Sequence, residues 1–369
     1  MRPVSRIEIA GFKSIRVAKL ELKPLNVFIG PNGAGKSNFI GVFKLLHQIV
    51  EKNLAVSVAE QGGANSLLHF GRKRTPSISL KLQFGDGTNC YGCVLAPNAE
   101  DNLFFKDEWC TYTGPSSTTG YPFRDLLIKL SIGGRESRLL EEAEAHPNGI
   151  ASHVRDDFKG WRLYHFHDTS PSARIKQTGD LSNNRFLQDD ASNLAAFLYQ
   201  LQQTQKASYD HIVGAVRRVA PFFETFVLAP AKLNPETILL EWKEKGADEY
   251  FKASALSDGT LRFICLATLL LQPTLPSVVL IDEPELGLHP AAVTLLAELL
   301  RSASKRSQVI VSTQSATLVN QLAPEEVVVV EHQDQTSSFV RLAREQLKDW
   351  IGDYGLGELW EKNILGGRP

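Results

Sequence analysis

Two adjacent carboxylates, Asp282 and Glu283, follow four apolar residues in the stretch Val278–Pro290, which reads VVLIDEPELGLHP. The apolar run is typical of a strand buried on both faces, and the acidic pair stands where that strand ends. Ligands of open α/β sheets bind at this carboxyl end. One carboxylate can hold a hard cation there while the other polarises a water molecule for attack. A purely structural strand end gives the same pattern, so a second motif has to decide.

A glycine-rich stretch far upstream supplies that second motif. Residues 30–37 read GPNGAGKS and match the phosphate-binding pattern G-x-x-x-x-G-K-S at every fixed position. An apolar block precedes the stretch and a helical pattern follows it, which is the context the motif requires. Its backbone N–H groups can approach phosphates, Lys36 can reach the outer phosphates, and Ser37 can ligate magnesium. The sequence therefore predicts a nucleotide-binding loop.

A third stretch, Leu256–Arg262, precedes an apolar helical run and stands shortly before the acidic strand. Ser257 is a candidate N-cap, and Gly259 allows an anion to approach the helix end closely. A serine and a glycine at this spacing carry no specificity alone. The order of motifs does: phosphate loop, serine-glycine helix start, acidic strand, and then a further strand, QVIVST, that ends before Gln314.

The surrounding pattern predicts the elements that position these residues. Three alternating blocks within residues 4–29 predict strands, and the helix after the phosphate loop has an apolar face that packs on a sheet. Residues 54–112 are predicted as further strands and turns, and residues 191–223 as two helices with a break near Ala207. We expect three parts: an N-terminal lobe at 1–112, an insertion with a helical subdomain at 113–220, and a C-terminal lobe at 221–369.

Two residue pairs have the spacing of metal ligands. Cys90 and Cys93 resemble half of a zinc site, but within a strand they point to opposite faces and no second pair follows. His165 and His167 share a strand face in the alternating pattern at 161–167, but no third ligand is evident. Packing or hydrogen bonding is the interpretation for both pairs.

Two polar segments could contact phosphate. Arg72, Lys73 and Arg74 form a basic cluster, which is interpreted as a solvated turn, with phosphate or DNA contact as the alternative. The turn-rich segment 170–190 could border a nucleotide. Its candidate residues are Arg174, Lys176, Gln177 and Arg185, among which the pattern does not choose.

Composition limits the class of protein. The 369 residues carry 40 basic and 41 acidic side chains, so any nucleic-acid contact has to come from a local patch. The N-terminus has no signal-peptide pattern, and no run approaches the roughly 18 apolar residues that span a bilayer. Four cysteines fit a reducing compartment. We expect a cytoplasmic protein without a membrane segment.

The order of the motifs resembles the ABC class of P-loop ATPases, in the branch that contains RecF, the structural maintenance of chromosomes (SMC) proteins and the OLD-family ATPases. The stretches LSDGTLRF, IDEPELGLHP, VIVSTQSATLVN and GELWEKNILGGRP are similar to a family of stand-alone bacterial AAA-type ATPases related to RecF. The resemblance covers nearly the whole chain. It implies an α/β fold of the ABC-type P-loop ATPase head, a mixed β-sheet with central helices, with a helical or irregular insertion and no long coiled coil.

The resemblance also implies a role for each motif. Residues 30–37 become the Walker A loop, Leu256–Thr260 the signature, Val278–Asp282 the Walker B strand, and Glu285–His289 a loop that crosses a dimer interface. Residues implied to bind ATP are Gly30, Pro31, Asn32, Gly33, Ala34, Gly35, Lys36, Ser37, Asn38, Ser257, Asp258 and Gly259. Residues implied to hold Mg²⁺ are Ser37 and Asp282. Residues implied to be catalytic are Glu283 as the base, Lys36 and Gln314.

Two positions depart from the pattern of the class. Asp258 stands where many members have a second glycine, and it adds negative charge near phosphate. Gln314 stands where a histidine is usual. Its amide can donate a hydrogen bond to the γ-phosphate but cannot hold a proton, so we expect slow turnover.

The resemblance implies a homodimer that forms on ATP binding, with Ser257 and Gly259 acting on the ATP of the other copy. One hypothesis is a DNA-associated ATPase in repair or chromosome maintenance. The alternative is a nucleotide-gated switch or scaffold that holds a separately encoded effector protein, as in bacterial phage defence. The sequence shows no coiled-coil arm for tethering and no room after Glu331 for a nuclease domain, and the signature argues against a small-molecule kinase.

Overall fold

The computed structural model describes residues 2–113, 126–350 and 353–368. These residues form two compact units, one comprising Met1–Trp161 and Ala323–Pro369, and the other comprising Arg162–Leu322. We call them unit 1 and unit 2. The three-part division expected from the sequence stays a prediction, and residues 114–125 of its insertion lie outside the described residues.

The strands are β1 Val4–Phe12, β2 Ile15–Glu21, β3 Leu25–Ile29, β4 Ile78–Phe84, β5 Asn89–Pro97, β6 Leu103–Tyr112, β7 Leu126–Ser131, β8 Trp161–Tyr164, β9 Gly179–Asp180, β10 Phe223–Val227, β11 Pro230–Ala231, β12 Asn234–Ile238, β13 Glu241–Glu244, β14 Tyr250–Lys252, β15 Val278–Asp282, β16 Gln308–Thr313, β17 Val327–Gln333 and β18 Thr336–Arg341. The helices are α1 Lys36–Val50, α2 Leu54–Glu60, α3 Ala64–Leu67, α4 Leu139–Ala145, α5 Ile150–Lys159, α6 Leu194–Thr204, α7 Lys206–Val219, α8 Asp258–Leu271, α9 Pro290–Ser304, α10 Ala316–Val319 and α11 Leu356–Glu361.

Unit 1 contains an antiparallel sheet with the strand order β2-β1-β4-β5-β6-β7. Most of its strands alternate buried and partly exposed residues, as in β4, because one face of the sheet packs on the core, whereas the first five residues of β5 are all buried. A second group of strands holds β3 parallel to β17, and β17 antiparallel to β18. All five residues of β3 are buried, and all but Asn26 are apolar, as expected of a strand that is covered on both faces.

Helix α1 packs in unit 1 through the apolar face that its periodicity predicts. Phe39, Val42, Phe43 and Leu46 are all buried. The ring of Phe39 stacks on that of Phe28 in β3, with the centroids 4.3 Å apart. Because β3 and α1 flank residues 30–35, this contact fixes both ends of the glycine-rich loop.

Two local predictions are wrong. Residues 54–67 include helices α2 and α3 and not only strands and turns, because Leu54 and Val58 lie one turn apart and are both buried. Strand β8 ends at Tyr164, so His165 and His167 lie beyond it and do not share a strand face. The two helices predicted in the segment 191–223 are confirmed, and they separate at Gln205, close to the predicted break near Ala207.

Unit 2 centres on the parallel pair β15 and β16, in which Val278 is opposite Gln308 and Asp282 is opposite Ser312. Both strands are almost wholly buried. Helix α8 is buried on all sides from Phe263 to Leu270, whereas α9 buries one apolar face. Two small antiparallel sheets, β10-β13-β14 and β11-β12-β9, complete the unit.

Helices α1 and α9 are the longest helices in the described part of the chain, with 15 residues each. None of the described helices is therefore long enough to form an extended coiled-coil arm. Nor is any helix among these residues both long and apolar enough to cross a bilayer.

Candidate functional site

The glycine-rich loop joins the buried strand β3 to helix α1, so its free backbone groups lie at the start of that helix. Helix α1 has no acidic residue in its first turn, which leaves its positive end unbalanced. Asn32, Gly33 and Ser37 are exposed, whereas Ala34, Gly35 and Lys36 are buried. The loop therefore presents an exposed rim around a buried cation.

Two of the three glycines in the loop, Gly30 and Gly35, have no room for a side chain. A Cβ atom at residue 30 would lie 2.2 Å from the carbonyl oxygen of Val330 in β17. A Cβ atom at Gly35, where φ is +113°, would lie 2.2 Å from Oγ of Ser337 and 2.9 Å from Oγ of Ser14. Side chains at these positions would push the loop out of its present path.

The side chain of Lys36 folds back onto the glycine-rich loop. Its Nζ donates to the carbonyl oxygens of Gly30 at 2.6 Å and Pro31 at 3.0 Å, and the residue is only 5% exposed. The ammonium thus lies against the loop, and the start of the following helix favours an anion. A phosphate group that entered the loop would supply a stronger, charged partner for Nζ.

Asn38 is held by residues that the sequence does not single out. Its Nδ2 donates to Oγ of Ser14 at 2.7 Å, while Oγ of Ser337 donates to the carbonyl oxygen of Ala34 at 2.5 Å and lies 2.7 Å from Oγ of Ser14. The two serines brace the back of the phosphate loop from β18 and from the turn between β1 and β2. No local pattern marks an isolated serine as such a brace.

The C-terminal segment also packs behind the loop within unit 1. Trp360 is fully buried and its Nε1 donates to the carbonyl oxygen of Gly367. The backbone N–H of Gly367 donates to Oε1 of Glu331 at 2.8 Å, and a Cβ atom at Gly367 would lie 3.5 Å from Cα of Gly30. The conformation of the loop therefore depends on residues more than 300 positions away.

In unit 2, the carboxyl ends of β15 and β16 bring four polar residues together. Oγ of Ser312 donates to Oδ1 of Asp282, and Nε2 of Gln314 donates to Oε1 of Glu283. Among the described residues, Oδ2 of Asp282 takes no hydrogen bond, which leaves one oxygen available for a hard cation. The structure thus brings Asp282, Glu283 and Gln314 together, and it adds Ser312, which the sequence does not single out.

Glu283 has φ of +45°, which is unusual for a residue other than glycine, asparagine or aspartate. Its backbone N–H donates to the carbonyl oxygen of Ser312 at 2.9 Å, and this bond ties the turn to β16. Backbone strain of this kind persists where neighbouring structure over-determines it, and it clusters at functional sites.

Glu285, in the turn after β15, accepts hydrogen bonds from the end of β16 and from the residue that follows it. Its Oε1 accepts from Oγ1 of Thr313 at 2.6 Å and from the backbone N–H of Gln314 at 3.0 Å. Burial raises the pKa of Glu285, and the Glu283 carboxylate adds to the rise, while the bonds from Thr313 and Gln314 oppose it. Glu285 therefore links the turn after β15 to the end of β16.

Ser257 caps helix α8, as the sequence predicts. Its Oγ accepts from the backbone N–H of Thr260 at 3.2 Å and lies 2.8 Å from Oγ1 of that residue. Ser257 is exposed, and the first turn of the helix faces solvent. The structure supplies an exposed helix N-terminus of the kind that binds anions.

Lys176 offsets the charge of Asp258. Its Nζ lies 3.6 Å from Oδ1 of Asp258 and donates to the carbonyl oxygen of Thr169. Of the four candidates in segment 170–190, Lys176 is the one whose described contacts reach the signature. The negative charge that Asp258 adds to this helix end is therefore partly balanced within unit 2.

Gly259 has a packing role that sequence reasoning missed. A Cβ atom there would lie 2.3 Å from the carbonyl oxygen of Gly287, in the turn after β15. Arg262, one turn further along α8, donates to the carbonyl oxygens of Leu286 and His167, each at 2.9 Å. The start of α8 and the turn 283–289 therefore form one packed structure.

The two residue pairs with the spacing of metal ligands are Cys90 with Cys93 and His165 with His167. Cys90 and Cys93 are buried in β5, where burial raises the pKa of Cys93. The rings of His165 and His167 lie 6.3 Å apart. Within the described ranges, no group of three or more His, Cys, Asp and Glu residues could hold a metal ion by itself.

Two features define the class of P-loop ATPases. One is a phosphate loop between a buried strand and a helix, and the other is a parallel strand followed by two carboxylates. Residues 25–320 match the family described as "AAA domain, putative AbiEii toxin, Type IV TA system". The match spans most of the chain, and the chain belongs to this family.

Solved SMC head domains have a similar fold. An SMC head bound to the C-winged helix domain of ScpA has a TM-score of 0.59 at 17% identity, over 94% of this chain and 99% of that chain. A head domain with an extended coiled coil from Pyrococcus furiosus, bound to the C-terminal domain of ScpA, has a TM-score of 0.55 at 17% identity, over 96% and 99%. These matches confirm the predicted ABC-type ATPase head.

Two curated relatives match shorter parts of the chain. A "Putative ABC transporter ATP-binding protein" of Methanosarcina acetivorans is 33% identical over 118 residues, which are 30% of this chain and 42% of that protein. The DNA replication and repair protein RecF of Acidothermus cellulolyticus is 38% identical over 69 residues, 18% and 19% of the two chains. The chain spans less than half the length of either relative. Together with the fold and the family, these two similarities identify the chain as a RecF- and SMC-like ABC-type ATPase.

Proposed function

We propose that this chain binds and hydrolyses ATP with Mg²⁺ and that two copies associate when ATP is bound. The observation that carries the proposal is the position of Lys36, a buried cation that donates to two carbonyl oxygens of its own loop. Neutral carbonyls are weak partners for a buried ammonium, and phosphate oxygens would be stronger ones. The loop is therefore preorganised for the β- and γ-phosphates.

Each catalytic residue has a physical task in this proposal. Glu283 accepts the proton of the attacking water, and the bond from Gln314 keeps its carboxylate oriented. Lys36 offsets negative charge that grows on the phosphoryl oxygens. Ser37 and Asp282 have the oxygen donors that Mg²⁺ prefers, and the ion, when bound, neutralises phosphate charge.

The exposed signature helix supports association of two copies. Ser257, Asp258 and Gly259 lie at the N-terminus of α8, where the helix dipole favours an anion. We propose that this helix end covers the ATP held by the other copy of a two-fold dimer. The contact of Gly259 with the turn 283–289 then couples each helix end to its own Glu283.

We propose that the ATP cycle serves DNA repair or chromosome maintenance. Support comes from similarity to a protein named for DNA replication and repair, and from the fold of SMC heads. The formal net charge of −1 means that DNA binding has to come from a local basic patch. Binding should therefore weaken steeply as salt rises.

A second candidate is a nucleotide-gated switch that holds an effector protein, as in phage defence. The family description refers to a toxin system, and one similar SMC head is bound to a domain of a partner protein, ScpA. On this alternative the chain forms a stable complex with a separately encoded protein and hydrolyses ATP independently of DNA.

Steady-state ATP hydrolysis by the wild type and Glu283→Gln tests the proposal. Glutamine keeps the shape of residue 283 and an oxygen that can accept from Gln314, but it cannot take a proton. We expect kcat to fall by about 10²–10⁴-fold, as for other general bases. An unchanged kcat in the variant would refute the catalytic assignment.

The same assay separates the two biological roles. Duplex and gapped DNA are added at low and at moderate salt. Stimulation that fades with salt supports the DNA-associated role. Slow hydrolysis that does not respond to DNA, but that Glu283→Gln abolishes, supports the effector-bound switch.

A further inference from the structure

Phe70 is an aromatic side chain held on the surface of unit 1. It is 49% exposed and has φ of +56°, a genuine outlier for a bulky residue. Two hydrogen bonds of the neighbouring residue His69 hold this turn: its backbone N–H donates to the carbonyl oxygen of Gly11 at 3.0 Å, and its ring Nδ1 lies 2.7 Å from the carbonyl oxygen of Lys13. An aromatic ring fixed in a strained turn on the surface is a candidate for binding.

Three exposed cations follow this ring. Arg72, Lys73 and Arg74 form no salt bridge with any carboxylate that the structure describes. The guanidinium of Arg74 lies 5.2 Å from the centroid of the Phe70 ring. The turn thus combines a π-face with three positive charges, which matches a base and its neighbouring phosphates.

A cavity of about 530 Å³ adjoins the ring, lined by Asn65, Phe70, Arg72, Lys73, Ala99 and Asp101. Hydrogen bonds join three of the residues that line it. Oδ1 of Asn65 accepts from the backbone N–H of Arg72 at 3.1 Å, and the backbone N–H of Asn65 donates to Oδ1 of Asp101 at 2.9 Å. The cavity has room for a nucleobase, and its rim carries the cations.

We propose that Phe70 and the cations Arg72, Lys73 and Arg74 bind an unpaired segment of a nucleic-acid strand. One base stacks on Phe70 in place of Arg74, and the freed guanidinium joins the other two cations on the phosphates. Stacking on an aromatic ring requires an unpaired base, so a strand end or gap fits this surface and an intact duplex does not. The inference rests on the proposed association with DNA and needs no ATP hydrolysis.

The test measures fluorescence anisotropy of a labelled single-stranded oligonucleotide and of a duplex hairpin with the full chain, without ATP. Phe70→Asn removes the ring with a residue that tolerates positive φ. We expect it to weaken single-strand binding about tenfold, which corresponds to roughly 1.4 kcal/mol and to the loss of one stacked base. Duplex binding should change less than twofold.

The charges are tested by the double variant Arg72→Gln/Lys73→Gln. The slope of log affinity against log salt should become shallower by about 1.4, because each phosphate contact on a single strand contributes roughly 0.7. The matched control is Lys232→Gln/Lys245→Gln, which removes two exposed charges in unit 2. The control should keep the wild-type slope.

Four results would overturn the inference. Three of them are no single-strand binding by the wild type, wild-type single-strand affinity in Phe70→Asn, and an equally shallow salt slope in Lys232→Gln/Lys245→Gln. Displacement of the strand by AMP at a similar concentration would instead assign the surface to free nucleotides and also overturn it. Thermal unfolding checks that the variants fold. Strand binding without ATP hydrolysis would contradict the proposed ATPase activity alone, so the two failures are distinguishable.

Discussion

Gln314 donates a hydrogen bond from Nε2 to Oε1 of Glu283, across the turn that follows β15. The sequence predicts Gln314 as a donor to the γ-phosphate, and that role stays a prediction. In the structure, its amide group orients the carboxylate proposed as the base. A neutral amide can do this without competing for the proton, whereas a histidine at this position could carry the proton itself.

Gln314→Ala tests this positioning role. The variant leaves Glu283 in place but removes its donor, so the carboxylate loses its fixed orientation. We expect kcat to fall about ten- to a hundredfold, while the KM for ATP stays within about threefold. Gln314→His keeps a ring N–H donor and should retain more of the activity than Gln314→Ala. Equal losses in the two variants would contradict a positioning role.

Gly35→Ala should disrupt the phosphate loop. The new Cβ atom would lie 2.2 Å from Oγ of Ser337, so the loop or β18 has to move. Without nucleotide, we expect the free energy of unfolding to fall by about 1–3 kcal/mol.

Gly33→Ala is the matched control for this substitution. Gly33 also has positive φ, +78°, but a Cβ atom there meets no atom within 4 Å, so only backbone strain of about 1 kcal/mol is expected. Chemical denaturation measures both variants. A larger loss in Gly33→Ala than in Gly35→Ala would show that the packing against Ser337 is unimportant.

Gly259→Ala should uncouple α8 from the turn that carries Glu283. Its Cβ atom would meet the carbonyl oxygen of Gly287 at 2.3 Å and displace the turn. We expect kcat to fall at least tenfold, because a displacement near 1 Å costs a catalytic group much of its effect. Binding of a fluorescent ATP analogue to the phosphate loop should persist.

The control for that variant is Gly214→Ala in helix α7. No atom lies within 4 Å of a Cβ atom at Gly214, so alanine should stabilise the helix by about 0.5–1 kcal/mol. Its hydrolysis rate should match the wild type. A Gly259→Ala enzyme with the wild-type kcat would disprove the coupling.

Glu108 should make the stability of the protein depend on pH. It is fully buried in β6, and burial raises its pKa although Ser137, the backbone N–H of Arg138 and Tyr91 donate to it. A carboxyl whose pKa is raised on folding stabilises the protein below the unfolded pKa. That contribution is lost as pH rises through the folded pKa.

We therefore expect wild-type stability relative to Glu108→Gln to be greatest near pH 4 and to decrease toward pH 7. The slope cannot exceed about 1.4 kcal/mol per pH unit for one proton. Urea denaturation at several pH values measures it. If the stability of the wild type relative to Glu108→Gln grew with rising pH, the folded protein would favour the charged carboxylate over the neutral carboxyl group, and the prediction would be wrong.

The motifs could be read from the sequence because their chemistry demands fixed residue types within a few positions. A phosphate loop needs its glycines, lysine and serine together, and the strand before Asp282 has to be apolar to be buried. Their supports could not be read in this way. Ser14 and Ser337 lie 323 positions apart and meet behind the loop, and nothing near either serine indicates the other.

Short elements were predicted least well, for a related reason. Helices α2 and α3 have seven and four residues, which is too short for stability from helix propensity alone. Tertiary packing of Leu54, Val58 and Leu67 decides their conformation. The packing role of Gly259 could not be predicted for a similar reason, because the sequence shows that a small residue is present but not that Gly287 packs against it.

The central claim, that a second copy completes each ATP site, is tested by mixing two inactive variants. Lys36→Ala cannot hold the phosphates, and Ser257→Arg blocks the signature helix. In an equimolar mixture, half of the dimers contain one of each chain, and one of their two sites is intact if Ser257 acts on the other copy. The account predicts that ATP hydrolysis recovers to about a quarter of the wild-type rate. No recovery, with each variant folded and able to form dimers with the other, would contradict it.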